Sequence, residues 1–381
     1  NVLMSNLVTR YLCSFIKQDL KDRMVFLGRP RQFGKTFLSQ SLIKNYRDKH
    51  PAYLNWDLEE HQFRIKNKQW PNREKLIVLD EIHKFKNWRN LVKGFYDTLK
   101  NTHSFLITGS TRLDHFRKGG DSLLGRYHYY RLHPYTLSEV GNTRTNLQRL
   151  FKFGGFPESY HKQDEKFLRR WHTERIHKLV KTDLRDLENI QDLYKMQMLA
   201  EELPKRIGSP LSYKALAEDL QIDFKTCKRW IGILDSLYYA FTISPYGSPK
   251  IRAVKKEQKL YLWDFSQVED LGARFENMVA SHLVKFCHYQ KDTNGDRMEL
   301  RYIRDTDKRE VDFVVIKNKK PFFAVECKLS DKNLSNHINY FSTRTPIPKF
   351  YQVHLDTIER QISDKISIIP FDEFCRIEKM V

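Results

Sequence analysis

The sequence contains no long apolar run and few cysteines. No stretch of about 18 apolar residues occurs, so no segment is predicted to cross a bilayer and no membrane partner is expected. Residues 1–20 lack the continuous apolar core and the small-residue cleavage site of a signal peptide. The five cysteines are far apart and odd in number, which argues against a disulfide framework or a zinc site. We therefore expect a cytoplasmic protein with reduced thiols.

Acidic residues are also too few to balance the basic ones. The chain has 67 Lys and Arg residues against 47 Asp and Glu residues, a formal net charge of +20. Because this charge is spread along the sequence, it favours a polyanionic partner, and DNA ahead of RNA, over a membrane. General solubility is the competing explanation. A chain of 381 residues exceeds the size at which one core keeps growing, so two or three domains are expected.

A phosphate-binding loop is predicted within residues 24–37, which read MVFLGRPRQFGKTF. An apolar strand ends at Gly28 and a helix begins near Lys35, which is the order that the Walker A motif requires. Backbone N–H groups would face the phosphates of ATP, Lys35 would reach the β and γ oxygens, and Thr36 would hold Mg²⁺. The motif has glycine where this chain has Arg29, so a chance Gly-Lys-Thr is the alternative. The predicted nucleotide contacts in this stretch are Gly28, Arg31, Gln32, Phe33, Gly34, Lys35, Thr36 and Phe37.

A second element follows at residues 76–81, which read LIVLDE. A continuous apolar strand is typical of a central parallel strand, and ligands bind at the carboxyl ends of such strands. Asp80 is therefore predicted to meet the Mg²⁺ held by Thr36, as in a Walker B motif. Glu81 is predicted to orient or deprotonate the attacking water. The alternative is a buried strand that ends in Asp-Glu by chance, and the phosphate-binding loop predicted upstream argues against it.

Polar and basic residues follow the next strand, residues 105–108. Ser110 is predicted to hydrogen-bond the γ-phosphate or the water, with Thr111 as the other candidate. Either Arg112 or Arg126 is a candidate arginine finger toward a neighbouring subunit. A surface arginine is the more frequent case.

The middle of the chain is predicted to be helical and basic. Residues 164–187 have helical spacing suited to a lid over the nucleotide. Residues 212–237 have the lengths of a helix-turn-helix, with Ser212 and Asp223 as helix caps, and strands within residues 238–263 would close a wing. Three basic residues lie near the start of the second helix, where recognition residues contact DNA: Lys225, Lys228 and Arg229. Packing of this winged helix between two enzymatic domains, without DNA contact, is an equal alternative.

Two apolar strands near the C-terminus carry acids and a lysine. The period of two places Glu326 and Lys328 on one face of their strand, and Asp312 lies on the preceding strand. Two carboxylates would thus surround one Mg²⁺, with Lys328 near the attacked phosphate or the water. This spacing resembles the PD-(D/E)xK nuclease superfamily, in which Glu276 matches the additional helical acid. A solvated Glu-x-Lys ion pair and a decayed, non-cutting nuclease are the alternatives.

The motifs GRPRQFGKT, LDEIHKFKNW, ITGSTR, LLGR and GGFPE occur in this order along nearly the whole chain. Together they resemble AAA+-type ATPases that carry a C-terminal domain of unknown function, DUF4143, with a nuclease-like fold. The resemblance implies a five-stranded parallel sheet, ATP and Mg²⁺ as cofactors, and a possible ring or other homo-oligomer. In related ATPases a Gly-x-Pro element contacts the nucleotide, which makes Pro157 a candidate, although Gly-Gly-Phe-Pro is also an ordinary turn. Arg29 is the clearest departure from the family.

We therefore predict an α/β protein with three parts. Residues 1–145 would form a P-loop AAA+-type parallel-sheet ATPase domain, residues 146–255 a helical lid with a winged helix, and residues 256–381 an α/β restriction-endonuclease-like PD-(D/E)xK domain. The predicted function is ATP hydrolysis coupled to a Mg²⁺-dependent nuclease that acts on DNA. The alternative is a nucleotide-operated switch that binds DNA or a protein partner through an inactive nuclease-like domain. The predicted catalytic residues are Glu81, Arg126, Glu276, Asp312, Glu326 and Lys328, and the predicted metal ligands are Thr36, Asp80, Asp312 and Glu326.

Overall fold

The computed structural model describes residues 8–28, 32–46, 49–109, 123–180, 192–247 and 257–381. The chain divides into two compact units, Asn1–Pro134 and Tyr135–Val381. Across the described ranges, no helix combines the length and the apolar character needed to cross a membrane.

The N-terminal unit is built on a five-stranded sheet with the order β2-β3-β4-β1-β5, and every neighbouring pair of strands is parallel. Its strands are β1 (Met24–Gly28), β2 (Tyr53–Asn55), β3 (Leu76–Asp80), β4 (Ser104–Thr108) and β5 (Tyr127–Arg131). Its helices are α1 (Cys13–Asp19), α2 (Lys35–Leu42), α3 (Glu59–Lys66) and α4 (Trp88–Leu99). The predicted five-stranded parallel sheet is therefore confirmed.

The central strands are buried on both faces, as their continuous apolar sequences require. All five residues of β1 are buried. On α4 the apolar positions recur at helical spacing, and this face contributes Trp88, Val92 and Phe95 to the core. At the end of β1, Gly28 has no room for a side chain, because a Cβ there would stand 1.6 Å from the hydroxyl oxygen of Tyr129 on β5. The start of the predicted phosphate loop thus lies directly against the edge strand.

The C-terminal unit contains an eight-stranded mixed sheet with the order β12-β13-β11-β10-β9-β8-β6-β7. Its strands are β6 (Ala240–Pro245), β7 (Lys259–Leu262), β8 (Met298–Arg304), β9 (Glu310–Lys317), β10 (Lys320–Cys327), β11 (Phe350–His354), β12 (Arg360–Ser363) and β13 (Ile366–Pro370). Its α-helices are α5 (Leu137–Val140), α6 (Arg144–Phe153), α7 (Pro157–Lys162), α8 (Glu165–Lys178), α9 (Leu193–Glu202), α10 (Tyr213–Asp219), α11 (Phe224–Ser236), α12 (Leu271–Asn294), α13 (Asn336–Arg344) and α14 (Phe371–Ile377).

The two helices predicted within residues 212–237 are α10 and α11, and their assignment as a helix-turn-helix stays a prediction. The side chain of Ser212 accepts a hydrogen bond from the amide of Ala215, and that of Asp223 accepts from the amides at the start of α11, so both predicted caps form. The predicted lid helix is described only as α8, because residues 181–191 lie outside the described ranges. The long C-terminal helix begins at Leu271 because the side chain of Asp270 caps it.

The predicted wing strands pair antiparallel as β6 and β7, but they do not stand apart from the C-terminal region. The end of β6 pairs in parallel with β8, through Ser244 opposite Arg301 and Pro245 opposite Tyr302. The middle and the C-terminal parts of the chain therefore share one sheet. The three-part division at residues 145 and 255 stays a prediction.

Candidate functional sites

The predicted phosphate loop lies between β1 and α2. Gln32 has a φ of 71° and Gly34 a φ of 83°, both in the left-handed region, and Gly34 is the N-cap residue of α2. Left-handed residues in a tight loop turn successive N–H groups toward one point, which creates an anion-binding concavity. Lys35 is buried and Thr36 is exposed at the start of α2. Arg29 and Arg31 lie outside the described residues.

A buried arginine that the sequence analysis missed anchors this loop. The Nη1 of Arg10 donates to the carbonyl oxygen of Phe33 at 2.8 Å, and its Nη2 donates to the carbonyl oxygen of His133 after β5. The ring of Phe33 is itself fully buried, whereas that of Phe37 is half-buried. A buried arginine requires such partners. The signal was a single arginine inside a largely apolar N-terminal segment.

Asp80 closes the site from the end of β3. In the sheet register Asp80 lies beside Asn55 of β2 and Thr108 of β4. Its buried carboxylate accepts hydrogen bonds from the hydroxyl groups of Tyr53 and Thr108. The Thr36 side chain also lies close enough to the Tyr53 hydroxyl to lower its pKa. The structure therefore brings Thr36 and Asp80, the two predicted Mg²⁺ ligands of this unit, near one hydroxyl group.

Tyr53 and Thr108 were not identified from the sequence. Both occupy strand positions beside the Walker B strand, and this register could not be read from local patterns. Burial, then the charge of Asp80 and its hydrogen bond, raise the pKa of Tyr53 well above its ordinary value, against a smaller lowering by Thr36. The Tyr53 hydroxyl therefore keeps its proton and donates a hydrogen bond to Asp80.

Glu81 has an unusual backbone. Its φ is 56°, and its N–H donates to the carbonyl oxygen of Thr108 at 3.0 Å. Left-handed φ values are uncommon for residues other than glycine and cluster at functional sites. The Glu81 carboxylate is largely buried and lies 3.7 Å from Nε2 of His83 and 3.7 Å from Nζ of Lys84. Glu81 thus follows the carboxyl end of β3, and its role as the base stays a prediction.

The remaining predicted contacts of this unit are distributed less tightly. The Nε of Arg126 forms an exposed ion pair with Asp97 at 2.9 Å, and this hydrogen bond holds the pKa of Asp97 below its ordinary value. Ser110, Thr111 and Arg112 lie outside the described residues. The roles assigned to Ser110 and Arg126 stay predictions.

The Gly-Gly-Phe-Pro stretch has a structural explanation in the C-terminal unit. A Cβ on Gly154, whose φ is 76°, would stand 2.9 Å from Oδ1 of the buried Asp264. The guanidinium of Arg175 lies 3.4 Å from Asp264 and 4.0 Å from the ring centroid of Phe156. Pro157 is the first residue of α7. The nucleotide contact assigned to Pro157 stays a prediction.

The predicted acids of the C-terminal unit lie on neighbouring central strands. In the antiparallel pair β9 and β10, Phe313 is opposite Val325, which places Asp312 beside Glu326. The amide of Cys327 donates to Oδ2 of Asp312 at 2.8 Å, and Nζ of Lys328 donates to Oε1 of Glu326 at 2.7 Å. Glu326 is only 4% exposed, whereas a solvated edge pair would be open to water. The structure thus brings Asp312, Glu326 and Lys328 together, and the roles assigned to them stay predictions.

Lys259 is the residue that sequence reasoning missed. Its fully buried Nζ lies 3.1 Å from Oε1 of Glu276, 2.5 Å from Oε1 of Glu310 and 3.6 Å from Oδ1 of Asp312. The hydroxyl of Tyr261, two residues further along β7, donates to the same oxygen of Glu276 at 2.6 Å. The signal was the alternation of Lys259 and Tyr261 within an apolar strand. We call these five side chains, together with Glu326 and Lys328, the carboxylate cluster.

The charges of the carboxylate cluster influence one another strongly. Burial, followed by the nearby Glu276 and Glu326 carboxylates, raises the pKa of Asp312 well above its usual range. Burial also raises the pKa of Glu326, against a lowering by Lys328. Burial by itself lowers the pKa of Lys259, but the surrounding carboxylates outweigh it and raise the pKa, so the side chain is a charged ammonium. Perturbed carboxylates in one place indicate a functional site.

The fit of a divalent metal to this cluster is partial. In the described part of the chain, no three or more His, Cys, Asp or Glu side chains are arranged to hold a metal ion. Glu276 and Glu310 are engaged by Lys259. By contrast, Oε2 of Glu326 is buried and accepts no hydrogen bond from the described residues. The residues with capacity for a hard cation are therefore Glu326 and its neighbour Asp312.

Comparison with known families divides the chain into three segments. Residues 21–141 match a family described as an AAA domain. Residues 144–272 match a domain of unknown function, DUF8612, and residues 271–374 match another, DUF4143.

Two proteins of Methanocaldococcus jannaschii are similar in sequence. Uncharacterized protein MJ1544 is 22% identical, over 97% of this chain and 93% of that protein. Uncharacterized protein MJ1637 is 25% identical, over 56% of this chain and 54% of that protein. Among solved structures, the RuvB Holliday junction branch migration motor of Thermotoga maritima is 16% identical, over 60% of this chain and 86% of that chain, with a TM-score of 0.31. A likeness at that TM-score carries no functional information.

The parallel sheet, the loop between β1 and α2 and the acids at the end of β3 agree with the family match over residues 21–141. The match over residues 271–374 covers α12 and most of the sheet that carries the carboxylate cluster. The chain thus combines an AAA-type P-loop ATPase domain with a C-terminal DUF4143 domain.

Proposed function

We propose that the N-terminal unit binds ATP with Mg²⁺ and hydrolyses it. The observation that carries this proposal is the placement of Thr36 and Asp80 around the Tyr53 hydroxyl, next to the left-handed loop that begins α2. Lys35 would pair with the β and γ oxygens, and Thr36 and Asp80 would hold the magnesium ion, which neutralises phosphate charge. Glu81 would orient the attacking water and take its proton.

Two substitutions separate binding from hydrolysis. Lys35→Ala removes the charge that pairs with the phosphates and should abolish ATP binding in a calorimetric titration. Glu81→Gln keeps the shape of the site and should bind ATP while turnover falls by about 10²–10⁴-fold. Lys44→Ala, at an exposed lysine just after α2, is the matched control and should change neither property. Wild-type protein with neither ATP affinity nor turnover would show that Arg29 has disabled the loop.

We further propose that the nucleotide state controls a Mg²⁺-dependent nuclease site in the C-terminal unit. Its support is the pairing of Asp312 with Glu326 on central strands, with Lys328 held against Glu326. Asp312 and Glu326 would hold the metal, which would supply a Lewis acid for the phosphate. Lys328 would stabilise the charge that develops on the attacked phosphate or its nucleophile.

DNA is the proposed nucleic-acid partner. Three basic side chains on α11 are exposed: Lys225, Lys228 and Arg229. They lie at the start of the second helix of a helix-turn-helix, where contacts to DNA are made. The overall charge of +20 would support association with the phosphate backbone. Assembly into a ring or another homo-oligomer completes the proposal and is tested by light scattering with and without ATP.

A second function is favoured by one observation, the position of Lys259. Its ammonium already supplies a positive charge beside Glu276, Glu310 and Asp312, which is compatible with a nucleotide-operated switch that binds DNA or a protein without cutting. In that case ATP turnover and DNA binding persist while no cleavage occurs under any metal condition.

Incubation of the full chain with plasmid and linear DNA, with and without ATP and Mg²⁺ or Mn²⁺, separates the two functions. For a nuclease, Asp312→Ala, Glu326→Ala and Lys328→Ala should each abolish cleavage, because the site acts only when assembled, and should leave ATP turnover unchanged. Lys320→Ala, at an exposed lysine of the same strand, is the matched control. Glu276 is expected to have a milder effect. Intact ATP turnover without metal-dependent cleavage would establish the switch.

A further inference from the structure

The backbone of Lys259 is held rigidly. As the first residue of β7 it pairs with Ile243 of β6, and it also forms an isolated bridge with Pro210. Its side chain is 0% exposed, and Nζ lies 5.7 Å from the ring centroid of Tyr302. A lysine normally extends its ammonium group to water along an apolar stem. Here the ammonium group stays inside, so its position is determined by the sheet.

The three contacts of Lys259 are unequal. Nζ lies 2.5 Å from Glu310 and 3.1 Å from Glu276, both within hydrogen-bond distance, whereas Asp312 is 3.6 Å away. An ammonium group has three N–H donors and no acceptor. Glu276 and Glu310 are therefore the strong partners of Lys259, and Asp312 is held mainly by the Cys327 amide.

The opposite side of the carboxylate cluster has spare capacity. One oxygen of Glu326 receives Lys328, and the other is buried and accepts no hydrogen bond from the described residues. A buried carboxylate oxygen without a donor is costly unless a cation or a proton reaches it. A cation that enters the cluster therefore has a place beside Glu326 and Asp312.

Formal charge limits how many cations can enter. The ion pairs join four carboxylates with three cationic side chains: Glu276, Glu310, Asp312 and Glu326 with Lys259, Arg304 and Lys328. One negative charge is left uncompensated. The two positive charges of a single divalent ion already exceed this one negative charge. A second divalent ion would therefore have to bind to a cluster with a net positive charge.

We infer that the ammonium of Lys259 is the resident cation for Glu276 and Glu310, so that a divalent metal enters the carboxylate cluster only beside Asp312 and Glu326, one ion per cluster. The part concerning the metal rests on the proposed nuclease function, whereas the part concerning Lys259 does not. Glu276 then acts as a partner of Lys259 and not as a metal ligand. Its predicted milder effect on cleavage follows from this positioning role.

Lys259→Met tests the inference on the full chain, with Mn²⁺ as the probe. Calorimetric titration of the wild type without ATP should show one ion at the carboxylate cluster, identified by its loss in Asp312→Ala. Lys259→Met should melt about 10 °C lower in EDTA, because two carboxylates lose a buried partner. Mn²⁺ should restore the melting temperature of Lys259→Met, and this variant should bind a second ion. Adding Glu310→Gln to Lys259→Met should abolish binding of the second ion. Lys317→Met is the matched control, since Lys317 pairs with Asp296 at 3.0 Å on the surface of the same sheet.

The outcomes separate the inference from the proposed function. Two ions bound at the carboxylate cluster of the wild type would overturn the inference, as would a Lys259→Met protein that neither binds additional Mn²⁺ nor changes its melting temperature in Mn²⁺. If the wild-type cluster binds no Mn²⁺ ion while the Lys259→Met cluster binds one, Lys259 is supported as the resident cation and the proposed nuclease function is rejected. If Lys259→Met does not fold, Glu276→Gln and Asp312→Asn take its place, since each removes one negative charge from the carboxylate cluster. Glu276→Gln should keep the ion that Asp312→Asn loses, and loss of the ion in both variants would overturn the inference.

Discussion

Replacing Asp264 by asparagine tests the buried network that joins α8 to the segment after β7. Asp264 is fully buried, accepts a hydrogen bond from Oγ of Ser266 at 2.6 Å, and lies 3.4 Å from both Arg175 and His172. Asparagine keeps the shape but removes the charge. The buried guanidinium of Arg175 then lacks this counter-charge, which costs about 3–5 kcal/mol when no other partner replaces it.

The dependence of this effect on pH follows from the pKa of Asp264. Burial raises that pKa, but His172, Arg175 and Ser266 outweigh the burial and lower it to about 2. Relative to about 3.9 in the unfolded chain, the difference corresponds to roughly 2.5 kcal/mol of folding stability. Because the folded pKa lies below the unfolded one, this stabilisation is complete above about pH 5 and is lost as the pH falls toward about 2.

Guanidinium unfolding at several pH values, with pulsed hydrogen exchange of the α8 peptide as a local probe, measures the effect. We expect Asp264→Asn to lower the free energy of unfolding by about 3 kcal/mol at neutral pH, and by roughly 2 kcal/mol less near pH 2. Asp219→Asn is the control, because Asp219 forms an exposed ion pair with Arg206 at 2.6 Å and should contribute at most about 1 kcal/mol. Equal stability of the two variants at neutral pH, or a gap that does not vary with pH, would refute the reasoning.

Three further predictions concern the N-terminal unit and the charge of the chain. Tyr53→Phe removes a hydrogen bond to the buried Asp80 carboxylate and should lower the free energy of unfolding, measured by urea denaturation, by about 1.5–3 kcal/mol. An unchanged free energy of unfolding would contradict the hydrogen bond between Tyr53 and Asp80. Gly28→Ala should cost about 1–3 kcal/mol through its clash with Tyr129, and adding Tyr129→Leu should restore part of that loss. If about five phosphates are neutralised, the logarithm of the association constant for DNA should fall with the logarithm of the salt concentration at a slope near −4.5 in anisotropy titrations. Binding that does not depend on salt, or no binding at about 50 mM salt, would exclude nucleic acid as the partner.

The elements that could be predicted from sequence are those defined by local pattern. A continuous apolar run predicted the buried strand β3, and strand ends in a parallel sheet collect ligands, so Asp80 lay where it was expected. The period of two placed Lys328, the residue after β10, on the same side as Glu326 of that strand. The caps at Ser212 and Asp223 followed from residue type alone.

What could not be predicted depends on pairing between distant segments. The sequence gives no reason to expect a buried Lys259, because a lysine at the start of a strand is usually solvated. Only the packing of α12 and β9 around β7 surrounds it with carboxylates. Tyr53 and Thr108 likewise reach Asp80 through the order of the strands, which local patterns do not encode.

The pairing of β6 with β8 limits how the C-terminal domain can be exchanged between proteins. A fragment that begins at residue 256 keeps β7 but loses β6, the strand that pairs with β7 and joins it to β8. Without β6, the edge of β8 would have unpaired N–H and C=O groups that can pair with a strand of another molecule, which promotes self-association. Recombination that moves this domain to another protein must therefore carry β6 with it, and the smallest transferable piece starts before Ala240.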